Sequence, residues 1–171
     1  MLHALKTQLT TLAADPRDPF AANIRQRVGA TEAVHYTKPL RNMILVMPEL
    51  IAQVRAWMDQ PAMPTRLKRL HGFLLSYLYH PKDFLPEGSN GLFGYLDDAY
   101  LAGSIYIRTM HQLDHQRRRV LPNLKDLAEQ MATWLALTKQ VLPAETQRIE
   151  QLLDEVIDGR TETFQQLMGQ A

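Results

Sequence analysis

The chain has 171 residues, 19 basic against 18 acidic, a formal net charge of +1 and no cysteine. That balance argues against a nucleic-acid binder, which carries a clear basic excess, and the missing thiols exclude disulfides, cysteine zinc sites and cysteine nucleophiles. A chain of this length fits one domain and can bury about 70% of the surface it exposes when unfolded, so it needs no covalent staples.

Leu2, Leu5, Leu9 and Leu12 recur at helical steps, and Asp15-Pro-Arg-Asp-Pro19 breaks that helix. Asp18 is a predicted N-cap with Pro19 at the first helical position, opening a short helix that Gly29 ends. From Leu40 onward, Ile44, Met47, Ile51, Val54 and Met58 again share one face. Pro48 falls inside this run and lacks the amide a helix interior needs, which predicts a kink or two abutting helices. Met43 to Met47 also reads as a short strand, but no other segment offers it a partner.

A fourth helix is predicted from Thr65 to about Tyr79, with Leu67, Leu70, Leu74 and Leu78 inside. A long helix follows from near Gly91 to about Gln116, its inner face Leu96, Tyr100, Gly103, Ile107 and Met110. Pro122 starts a helix bearing Leu124, Leu127, Met131, Trp134 and Val141. Pro143 starts another, with Ile149, Leu152, Leu153 and Val156 inside and Gly159 as its stop. A short tail helix is predicted over 164–168. The expectation is all-α: a single domain over 1–171, a bundle of seven or eight helices with a Pro- and Asp-rich hairpin at its centre.

That hairpin is the distinctive segment. His80 precedes a proline, which ends the fourth helix; Asp83 then falls where its carboxylate can accept from free amides, and Asp97 and Asp98 open the long helix. Pro81, Asp83, Pro86, Gly94, Leu96, Asp97 and Asp98 together resemble the core of the YkvA family, a widespread group whose core domain has no assigned function. The resemblance covers about 70–108 and implies a helical hairpin with clustered acids. His80 stands where that family has serine, Glu87 where it has aspartate, and Gly88-Ser-Asn-Gly91 where it has a second Ile-Pro.

Two metal readings follow. Asp83, Glu87, Asp97 and Asp98 would converge as oxygen ligands for Mg²⁺ or Ca²⁺ with His80 nearby; against this, each acid can serve as a helix cap. His111-Gln-Leu-Asp-His115 places two histidines on one helix face, the spacing of a zinc pair with an acid between them. A zinc hydrolase there needs a third ligand, for which Glu145, Glu150 and Asp154 are available. Five of the six tyrosines fall between Tyr77 and Tyr106, either as a pocket lining or as half-wet packing.

No nucleophile elbow surrounds Ser76, Ser89 or Ser104, and no phosphate-cradling glycine loop is present. Arg66-Leu-Lys-Arg69 and Arg117-Arg-Arg119 offer a way to hold phosphates or anionic lipid heads. No run of roughly 18 apolar residues exists, and the first residues lack the order of a secretion signal. The leading expectation is a non-enzymatic, cytoplasmic helical module that binds a protein partner, with no nucleic acid and no cofactor. Met43, Met47, Met58 and Met63 suit either adaptable contacts for that role or, more simply, ordinary core packing. The alternatives are a metal-dependent hydrolase and a peripheral, non-spanning membrane protein.

Overall fold

A computed structural model describes residues 2–78, 85, 90–115 and 122–160. Among these the fold is all-α, with seven α-helices, one 3-10 helix and no strand. The helices are α1 (Leu2–Ala14), α2 (Phe20–Val28), α3 (Ala30–Met58), α4 (Thr65–Tyr77), α5 (Leu96–His115), α6 (Pro122–Val141) and α7 (Pro143–Ile157), with the 3-10 turn at Gly91–Tyr95 leading directly into α5. The tail helix expected over 164–168 lies outside the described residues.

Sequence and structure differ most at α3. It is one helix of 29 residues that begins ten positions before Leu40 and runs through both Pro39 and Pro48. Each proline leaves the carbonyl four residues back, His35 and Ile44, without its helical donor, at about 3 kcal/mol or more apiece. Leu40, Met43, Ile44, Met47, Leu50, Ile51 and Val54 are all fully buried, each contributing about 1.5–3 kcal/mol. Burial wins, so the helix is not divided.

Three of the four methionines that suggested adaptable contacts, Met43, Met47 and Met63, are therefore core. Only Met58 is half-buried.

The core is one contiguous cluster to which every described helix contributes. Helix α5 runs through its centre: from Leu96 to Tyr106 every residue is buried. It packs on α3, α4, α6 and α7. At Gly103 the α6 side chains come close: a Cβ there would lie 2.6 Å from Met131 Sδ and 3.2 Å from Leu135 Cδ2. Helix α7 ends as its sequence predicts. Gly159 takes φ +74°, its amide donates to Val156 O, and the Arg160 amide donates to Glu155 O, closing the last turn with two bonds.

Candidate functional site

Asp18 anchors the turn that leads into α5. Its Oδ1 accepts from the Phe20 amide at 2.9 Å, a capping bond given from one position earlier than expected, since Pro19 takes the N-cap position and α2 starts at Phe20. Its Oδ2 accepts from the Leu92 amide at 2.8 Å, capping the 3-10 turn as well. Gly91 between them has φ +56°, and a Cβ on it would collide with Asp18 Oδ2; only glycine satisfies both demands. The Phe93 ring then packs on Phe20 at 6.3 Å with the Arg27 guanidinium 6.0 Å above it, and Tyr95 Oη accepts from Gln8 Nε2 at 2.6 Å.

This turn delivers Asp97 and Asp98 to the first turn of α5, where both are buried. The negative charge there meets the positive end of the helix. Asp97 Oδ2 accepts from the Leu85 amide at 3.2 Å, so one carboxylate ties Leu85 to the helix start. His80, Asp83 and Glu87, the other members of the acidic constellation, lie outside the described residues. Among the described residues, no three His, Asp or Glu side chains stand together as a metal-holding group.

The zinc-like pair is on the opposite end of α5. His111 and His115 are both exposed, as is Asp114 between them, and Asp114 pairs with Lys125 at 3.4 Å. The third-ligand candidates are engaged by arginines: Glu145 with Arg27 at 3.4 Å, and Glu150 and Asp154 with Arg108. Of the basic clusters, Arg66 donates to Gln112 and the Arg69 guanidinium lies against Gly159, while 117–119 lies outside the described residues.

Among the described residues, the tyrosines Tyr95, Tyr100 and Tyr106 each reach a different helix or segment. Tyr95 reaches α1, Tyr100 donates to Glu150 Oε1 at 2.5 Å, and Tyr106 donates to the Leu124 carbonyl at 3.0 Å. Burial pushes the Tyr106 hydroxyl up to about 12, and Tyr100 is pushed up by burial and by the Glu150 carboxylate beside it. Each phenol therefore stays protonated and acts as a donor.

Two polar arrangements were not foreseen. Arg108 bridges Glu150 at 2.6 Å and Asp154 at 2.8 Å, with Lys139 3.6 Å from Glu150. Burial alone would raise Glu150, but bonds from Tyr100 and Arg108 and the neighbouring positive charges hold it below the usual range. The four-residue spacing of Glu150 and Asp154 was visible in sequence; their partner on another helix was not.

The second is His71, fully buried, with Nε2 2.9 Å from Thr109 Oγ1. Thr109 donates its own proton to Ile105 O at 2.8 Å, so the His71 Nε2–H must be the donor of the pair. Burial lowers His71 to about 4, and Trp57 stacks on its ring at 6.4 Å.

Comparison with protein-family models, curated proteins and solved structures finds no match to this chain. No described helix is long and apolar enough to cross a membrane.

Proposed function

We propose that this chain is a non-catalytic helical module of the cytoplasm that works by engaging a protein partner, and that 70–108 is its YkvA-like core. The observation that carries the reading is the Asp97–Leu85 bond: an acid at the end of the distinctive segment, fully buried, spends an oxygen on a backbone amide. Asp18, Glu150, Asp154 and His71 are likewise turned to capping and helix-to-helix bonding. The entry of Gly94–Asp98 into α5 fits the helical hairpin that the family resemblance implies.

With Met43, Met47 and Met63 in the core, the contact falls to α6. Its only fully buried side chains among the described ones are Met131, Thr138 and Val141, while Leu124, Leu127, Trp134 and Leu137 pack on the core but stay half-buried along it. Trp134, partly buried against the core and partly open, is of the residue type most enriched among interface anchors.

The test is site-specific photo-crosslinking in cells from the exposed positions Gln130 and Thr133 on α6, against Gln26 on α2 as control. A discrete adduct from the α6 positions, lost in a Trp134→Ala chain that still folds, is the expected result. Identical patterns from all three positions would overturn the reading.

A further inference from the structure

We propose that His111 and His115 form a bidentate surface site for a borderline divalent transition metal, with Zn²⁺ as the probe. The two residues sit four apart in the last turns of α5, so their side chains leave the same helix face with Cβ atoms roughly 6 Å apart. Both are exposed. From that spacing two imidazole nitrogens reach one ion at about 2.0–2.1 Å each.

The side chains between them are drawn aside. Arg66 donates to Gln112 Oε1, Leu113 is buried, and Lys125 holds Asp114. Imidazole suits zinc, copper and nickel, whereas Mg²⁺ seeks oxygen and retains its water. Two protein ligands leave two positions of a tetrahedral ion open to water or to a ligand from a partner.

The site is independent of the acids at the start of α5, which lie about 20 Å or more away along the helix axis. It is also independent of the proposed α6 contact, so the failure of one does not decide the other.

Titration of the full chain with Zn²⁺, followed by calorimetry and by histidine ring NMR, tests the site. Saturable binding of one ion per chain, with the His111 and His115 signals shifting together, is expected. His111→Gln or His115→Gln should each weaken binding roughly tenfold or more, because half the ligand set is lost. His3→Gln and His35→Gln should leave it unchanged, and Mg²⁺ should not shift the two rings. Both residues are exposed, so the variants should melt as the parent does. No binding at submillimolar Zn²⁺, or parental affinity in both variants, overturns the site.

Discussion

Asp18 and Leu92, 74 residues apart in the chain, are joined by a 2.8 Å bond from the Leu92 amide to Asp18 Oδ2 while the other oxygen of the same carboxylate caps α2. One side chain thus sets the start of α2 and the start of the turn that feeds α5. Asp18→Ala should cost about 1–3 kcal/mol, the sum expected for one cap and one further amide bond. Gly91→Ala should also destabilise the parent, but less in an Asp18→Gly background, where the colliding oxygen is gone. A double-mutant cycle by urea unfolding measures the coupling; strict additivity would contradict the geometry.

At the next turn, Asp97→Ala should destabilise by about 1–3 kcal/mol, because it leaves the buried Leu85 amide without its acceptor. Asp97→Asn retains a side-chain oxygen and should cost less. Equal losses in the two variants would show that charge, rather than the acceptor, is what Asp97 supplies.

His71 makes stability depend on pH. Its folded value of about 4 lies below the ordinary 6.5, so between the two the unfolded chain binds the proton and the folded chain does not. The stability is present in full above the ordinary histidine range. It falls as pH drops from about 6.5 towards 4, by roughly 3 kcal/mol over the window. Urea unfolding at pH 7 and pH 5 should show the loss, and a His71→Leu chain should show a much flatter profile.

The Arg108 bridge should rank its members by burial. Arg108→Ala strips the half-buried Glu150 and the exposed Asp154 of their partner and should cost about 1–3 kcal/mol. Asp154, with 65% of its side chain exposed, should lose no more than about 1 kcal/mol on conversion to Ala. A salt-sensitive loss at Asp154 larger than that at Arg108 would contradict the geometry.

Close packing at Gly103 gives a steric test. Gly103→Val should destabilise by about 1–3 kcal/mol through overpacking against Met131 and Leu135. Met131→Ala should recover part of that loss in the double variant, measured by thermal unfolding.

Much of the fold was legible in the residues. The steps of Leu2 to Leu12, the prolines opening α6 and α7, Gly29 and Gly159 at helix ends, and the capping role of Asp18 on α2 all follow from local rules, and the structure has them. Helix α3 was not legible. Proline opposes a helix by a local effect that sequence displays, while the burial that overrides it depends on what packs against Met43, Ile44 and Met47.

The site divides along the same line. Sequence alone determined that acids would stand at the start of α5 and that two histidines would share a face near its end, because both depend on position within one helix. Tertiary structure alone decided that Asp97 would take the Leu85 amide, that Asp18 would reach Leu92, and that Arg108 would hold Glu150 and Asp154. Those partners lie on other segments. A hydrogen bond is satisfied by whatever donor the packed chain brings within about 3 Å, and spacing along the sequence carries no record of that.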